Sequence, residues 1–222
     1  MALKILSLIA YVLVSYLLGS INFAILISKF IAHRDIRKVG SGNAGATNVA
    51  RTMGIVPGVA TFLLDFSKGV IAAYFGGLLF SHLGASMGVE IINQTTGILI
   101  CGTAAQIGHI YPVFFNFKGG KGISCSAGIL LICDWKVFVA AAIVFLIAFI
   151  PTKIISLASI SAASLVPIFI ILFTKRVSEW DIYIVVALAV FLGFNAVFKH
   201  KDNIKRLLRH EEKPLTFKKK EK

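Results

Sequence analysis

Three polar stretches of this chain carry the residue types that hold phosphate. The first is Gly40-Ser-Gly-Asn-Ala-Gly-Ala-Thr-Asn-Val-Ala-Arg51. Glycine adopts positive φ without steric cost, so Gly40, Gly42 and Gly45 allow the backbone to curl with successive N–H groups turned inward, a concavity suited to an anion. Ser41, Asn43, Thr47 and Asn48 add side-chain donors, and Arg51 adds a planar, permanent cation. An anion cradle is expected here. Its opening also spells G-x-G-x-x-G, but a dinucleotide fingerprint needs a preceding strand within a βαβ unit. The preceding residues, His33-Arg-Asp-Ile-Arg-Lys38, instead close a membrane-length apolar run. A mere connector between helices has no use for four hydrogen-bonding side chains and an arginine.

The second stretch, Gly108-His-Ile-Tyr-Pro-Val-Phe-Phe-Asn-Phe-Lys-Gly-Gly-Lys-Gly122, sets Gly119 and Gly120 between Lys118 and Lys121. It offers backbone donors beside two ammonium groups. It is not a Walker A loop, because Gly122 follows Lys121 and Phe115 stands where that pattern requires glycine. The third contributes His200 and Asn203, within a turn or so of the last apolar run. His109 and His200 are the histidines near these loops able to act as acid or base around neutral pH. His109, beside a proline turn, has the plainer alternative of a structural hydrogen-bond partner. No Ser–His–Asp arrangement or metal-holding carboxylate cluster is apparent, and no His-x4-Asp pattern of acyl-thioester glycerolipid acyltransferases. No cofactor or metal is expected. Such a site works by positioning and charge neutralisation, which suffices when a substrate already carries a good leaving group. Two cationic cradles point to two phosphate groups held together, or to one polyphosphate.

The elements that must position these loops are membrane helices. The chain has 222 residues, 57% of them hydrophobic and 15% charged, a net charge of +13 and a mean hydropathy of +0.86. That combination places it among integral membrane proteins. The basic excess fits membrane topology and anionic phosphate partners, with no nucleic acid. Cys101, Cys125 and Cys133 lack zinc spacing and an even count, so they are expected reduced and buried. Apolar runs cover residues 5–31, 55–80, 89–108, 123–133, 137–150, 154–173 and 182–198. They predict an all-α, polytopic integral membrane protein with seven transmembrane helices and Gly-rich cytoplasmic loops. The first run is too long for a signal peptide and is expected to remain as a helix. Ser15, Gly19, Ser20, Asn22 and Ser28 give it a face that packs on other helices. The fourth and fifth runs are short for spanning; they are either two crossings or one re-entrant pair. Asp65 and Lys68, three apart, share a face of the second helix. A mid-bilayer charge costs about 2.5–3.5 kcal/mol, so such residues face the bundle and pair.

Seven crossings, or five with a re-entrant pair, put the termini on opposite sides. One face collects Lys29, Arg34, Arg37, Lys38, Arg51, Lys118, Lys121 and Lys153 together with the ten basic residues from Lys199 onward, eighteen in all; the other has Lys4, Lys136, Lys175 and Arg176. The positive-inside rule makes the Gly-rich loops and C-terminus cytoplasmic and the N-terminus periplasmic. No repeat or separate soluble domain is evident, so residues 1–222 are expected to form a single membrane-embedded domain with a basic tail at 199–222. Ile204, Leu207 and Leu208 form one stripe of an interfacial helix on anionic lipid. From Lys213 onward the tail is expected to do nothing further.

The stretches at 40–51 and 108–122 and His-Lys-Asp-Asn-Ile-Lys-Arg-Leu at 200–207 closely resemble the three signature stretches of the bacterial acyl-phosphate:glycerol-3-phosphate acyltransferases. Asp65-Phe-Ser-Lys-Gly69 resembles a further family segment, and the similarity runs end to end. The resemblance implies an inner-membrane enzyme that transfers a fatty acyl group from acyl phosphate to the 1-hydroxyl of glycerol 3-phosphate, giving lysophosphatidic acid and phosphate. It implies substrate contact by Ser41, Arg51, Lys121, His200 and Asn203, and by Ser156 from its spacing to Pro167. The sequence reads Lys199-His-Lys where some members have paired histidines, so only His200 carries over. The lipid bilayer is the expected partner and a monomer the expected state. The competing class is a transporter of an anionic phosphorylated metabolite. It is disfavoured because the polar stretches lie at one face and no broken helices recur in two symmetric halves.

Overall fold

A computed structural model describes residues 1–174 and 181–215, which hold helices and no strand. Lys175 and Arg176, and the lysines at 218, 219, 220 and 222, lie outside the described residues. The first apolar run folds as two helices, α1 (Ala2–Ser20) and α2 (Phe23–Ala32). The break is built by Asn22, whose side chain accepts from the Ile25 N–H at 3.0 Å and caps α2. A break inside a membrane leaves carbonyls without partners, and Lys68 supplies them: its Nζ donates to the Gly19 carbonyl at 2.9 Å and to that of Ile21 at 2.7 Å. The same ammonium lies 2.9 Å from Asp65 Oδ1, and both side chains are 1% exposed. The buried pair expected from the sequence therefore pins the bend between α1 and α2.

A short helix, α3 (Ala46–Met53), leads through Gly54 into α4 (Ile55–Met87), 33 residues or about 50 Å long. α5 (Gln94–Ile110) opens with a capping box in which Asn93 and Thr96 satisfy each other's backbone N–H groups. Then follow α6 (Ile123–Cys133), α7 (Trp135–Thr152), α8 (Ile155–Phe173) and α9 (Asp181–Phe198), with α10 (Lys201–Leu208) bent 58° away from α9. All seven apolar runs are thus helical. By length and composition, five spans qualify among the described residues, and six if the bent α9–α10 pair is one. α6 is the exception: its 11 residues reach about 16 Å, half the hydrocarbon thickness.

Small residues let the helices touch. Ser15, Ser20, Asn22 and Ser28 are buried, as the sequence pattern anticipates. α1 crosses α5 where Gly108 faces the Tyr16 carbonyl and Gly19 faces Ala105, with no room for a Cβ at either. Gly108→Ala is therefore expected to cost about 1–3 kcal/mol by overpacking, read as a lowered Tm in detergent. Cys101 and Cys125 are buried, Cys133 is half-buried, and all three are free thiols.

Candidate active site

The three polar stretches meet at one end of the bundle around a cavity of about 710 Å³. The first loop is knitted together by one side chain. Asn48, 1% exposed, shares the two hydrogens of its Nδ2 among the carbonyls of Ile36, Val39 and Asn43, at 3.2, 2.9 and 3.1 Å, and its Oδ1 accepts from Ser41 N–H at 3.0 Å. Gly40, at φ +61°, passes so close to Asn48 that no Cβ fits. The loop ends as α3, whose first-turn N–H groups, at Ala46 and Thr47, have no intrahelical acceptor; Gly45 offers no capping side chain. Ala46 and Thr47 line the cavity, at the positive end of the helix dipole. Arg51 lies one turn farther, its Nε buried without a partner among the described residues, while its Nη2 donates at 3.4 Å to the Lys213 carbonyl. Arg37 ties the two Gly-rich loops together by donating to the Phe115 carbonyl at 2.9 Å while pairing with Asp35 at 2.7 Å. That guanidinium's hydrogen bond holds the Asp35 carboxyl down to about 2.

Across the cavity, Lys121 donates its Nζ to Asn203 Oδ1. Burial, with Arg206 and Arg51 nearby, lowers the Lys121 ammonium to about 8 against the opposing pull of Glu212. His200 is 3% exposed; burial and then Lys121 push its imidazole down to about 4, so it is neutral at physiological pH. Its Nδ1 lies 2.7 Å from the Ala196 carbonyl, which in a neutral ring requires Nδ1 to carry the hydrogen. Nε2 is left with its lone pair. From the floor, His109 Nδ1 approaches Asp65 Oδ1 at 3.4 Å. Apolar side chains also line the cavity, among them Ile55, Val59, Phe62 and Phe145.

A family model described as glycerol-3-phosphate acyltransferase matches residues 9–210. The chain belongs to that family. A glycerol-3-phosphate acyltransferase of Finegoldia magna is 40% identical over 203 residues, 91% of this chain and 93% of the relative. One from Syntrophomonas wolfei is 40% identical over 211 residues, 94% and 97% of the two chains. Two crystal structures of PlsY (YgiH), an integral membrane glycerol 3-phosphate acyltransferase, share the fold. The glycerol 3-phosphate form superposes with a TM-score of 0.80 at 36% identity over 95% of this chain and 96% of that one. The lysophosphatidic acid form does so at 0.76 and 34%, over 94% and 95%.

Of the family-motif residues singled out in the sequence, Gly40, Ser41, Asn43, Gly45, Thr47, Asn48, Arg51, His109, Lys121, Ser156, His200 and Asn203 line the cavity. Three glycines do not serve as expected. The Gly42 N–H is taken by the Val39 carbonyl at 3.1 Å, and those of Gly119 and Gly120 by the Ile110 and His109 carbonyls at 3.2 and 3.1 Å. Gly119 and Gly120 instead let the second loop pass tightly over α5, which brings Lys121 to the cavity. Lys118 is not among the lining residues; its carbonyl accepts from Arg37 at 3.4 Å. Gly45 and Ser41 also use their N–H groups within the loop. The N–H groups of Ala46 and Thr47, at the start of α3, are not taken up in this way among the described residues. Asn48 is a staple of the loop, and Asn48→Ala is expected to raise KM for both substrates several-fold, checked by initial rates.

Arg206 and Glu212 are among the cavity residues that the sequence does not single out. Arg206 shares a face of α10 with Asn203, an i, i+3 pairing visible in the sequence. Glu212 had no local signal, because a tail position reveals nothing about where it folds back. The idle tail expected from Lys213 onward fails for its first residues. Leu215 N–H donates to the Lys153 carbonyl at 2.8 Å, and the Lys213 carbonyl meets Arg51.

Proposed function

We propose that this protein transfers a fatty acyl group from acyl phosphate to the 1-hydroxyl of glycerol 3-phosphate, releasing lysophosphatidic acid and phosphate. The observation that carries this reading is the convergence of the start of α3, Arg51, Lys121 and His200 on one cavity that Val59, Phe62 and Phe145 also line. Two multiply charged phosphates repel one another, and cations around a half-buried site offset that repulsion. The start of α3, with Ser41, receives the phosphate of the acyl donor. Its chain lies against Val59, Phe62 and Phe145. Arg51, Lys121, His200 and Asn203 receive glycerol 3-phosphate.

The hydroxyl oxygen attacks the acyl carbon, the bond to the bridging phosphate oxygen breaks, and the hydroxyl proton must be taken up. His200 Nε2 is free to accept a hydrogen bond from that hydroxyl and aim it, but burial and Lys121 disfavour the imidazolium. The departing phosphate is therefore the proton's destination, and hydrogen phosphate leaves. Orientation and electrostatics carry this reaction, and no covalent enzyme intermediate is needed.

Full-length protein in detergent, given acyl phosphate, glycerol 3-phosphate and excess chelator, is expected to form lysophosphatidic acid. Product only with acyl-CoA, or only with added metal, would contradict the proposal. The basic face is assigned to the cytoplasm by the positive-inside rule. Protease applied outside intact cells should then leave the tail from Lys199 uncut, and cleavage there would reverse the topology.

A further inference from the structure

Glu212 is a carboxylate placed where an anion would be expected to bind. Its side chain is 10% exposed. Oε1 accepts from Ser156 Oγ at 2.7 Å and from Asn203 Nδ2 at 2.6 Å, and Oε2 accepts from Arg206 Nε at 2.5 Å. The tail delivers it there from both sides: Glu211 N–H donates to the Arg206 carbonyl at 2.8 Å, and Leu215 is tied to Lys153. Burial alone would raise this carboxyl, but the donors from Ser156, Arg206 and Asn203 outweigh it and hold the group below its usual value. Glu212 is thus an acceptor with no proton to give.

That fixes the polarity of its neighbours. Ser156 has one hydroxyl hydrogen, and Glu212 takes it, so Ser156 Oγ faces the cavity with lone pairs only. Asn203 is fixed as well, with Oδ1 on Lys121 and one amide hydrogen on Glu212. A phosphate dianion cannot donate a hydrogen bond to Ser156; a glycerol hydroxyl can. We infer that Glu212 is a positioning residue that sets Ser156 as a hydrogen-bond acceptor for the 2-hydroxyl of glycerol 3-phosphate, so that the C-terminal tail helps choose the acyl acceptor. This inference rests on the acyl-transfer reading. A site that requires a substrate hydroxyl rejects an analogue lacking one, because its polar group is then left unmatched.

The test uses the full chain in detergent with saturating acyl phosphate. It compares kcat/KM for glycerol 3-phosphate with that for its 2-keto analogue, dihydroxyacetone phosphate. The two share the phosphate and the reacting primary hydroxyl and differ at carbon 2. The wild-type protein is expected to prefer glycerol 3-phosphate. Glu212→Ala should raise KM for glycerol 3-phosphate about tenfold and cut the preference at least tenfold, with KM for acyl phosphate unchanged. Ser156→Ala should cut the preference equally, the double variant no further, and Glu212→Asp should retain most of it.

A merely structural role would lower both acceptors' kcat/KM together and leave the preference intact, which overturns the inference. So does a fall in KM in Glu212→Ala, which would make Glu212 a competing anion that substrate must displace. Absence of a preference in the wild type overturns it too, as does loss of folded protein in both Glu212→Ala and Glu212→Gln. A wild-type chain that acylates neither acceptor removes the acyl-transfer reading itself, and this inference with it.

Discussion

Arg51→Ala is expected to lower kcat/KM for glycerol 3-phosphate by about 10²- to 10³-fold while the folded protein is recovered at normal yield. The guanidinium stands at the cavity with Nε buried and unpartnered among the described residues, a costly arrangement unless a ligand completes it. Truncating one member of a buried, hydrogen-bonded charge pair costs about 2–5 kcal/mol, and the loss falls on the phosphorylated substrates. Apart from the 3.4 Å contact to the Lys213 carbonyl, Arg51 makes no hydrogen bond that holds the described helices together, so Tm should barely move. Arg51→Lys should recover only a fraction, since an ammonium cannot reproduce the planar fork. Near-normal kinetics in Arg51→Ala would remove Arg51 from the site.

Lys121 gives the second large effect, and its sign can be worked out. Burial lowers this ammonium to about 8. Below that pH the cation is present and attracts phosphate; above it the empty site loses the charge. The profile of kcat/KM reports the free enzyme. For glycerol 3-phosphate it should therefore be level near pH 7 and fall towards tenfold per unit above about 8. The substrate phosphate has lost its second proton near pH 6 and does not create that limb. Lys121→Arg should push the limb upward out of range. Lys121→Met should abolish it and lower the pH 7 value about 100-fold. An unchanged alkaline limb in Lys121→Met would assign the ionisation elsewhere.

The membrane class, the apolar helices and the three loops were legible because each rests on a local signal. Asp65 and Lys68, two charges in an apolar run, announced a buried pair, and that pair holds the α1–α2 bend. What the sequence could not show was which donors of a Gly-rich loop remain open. Composition alone makes Gly42, Gly119 and Gly120 anion donors. Their N–H groups are taken by carbonyls at Val39, Ile110 and His109, an outcome fixed by the path of the folded chain. Asn48, polar and within the loop, has the sequence signature of a substrate donor; buried, its side chain serves the backbone. Glu212 was invisible for the opposite reason. Its partners Ser156 and Asn203 come from α8 and α10, and only the folded tail brings it between them.

The central claim is that the cavity holds both phosphorylated substrates at once, with no acyl-enzyme between them. Initial rates of lysophosphatidic acid formation, measured while acyl phosphate and glycerol 3-phosphate are varied against each other, test this most directly. Reciprocal plots that intersect are predicted, the pattern of a ternary complex. Parallel lines, the mark of a covalent intermediate that forms and discharges in turn, would contradict the account.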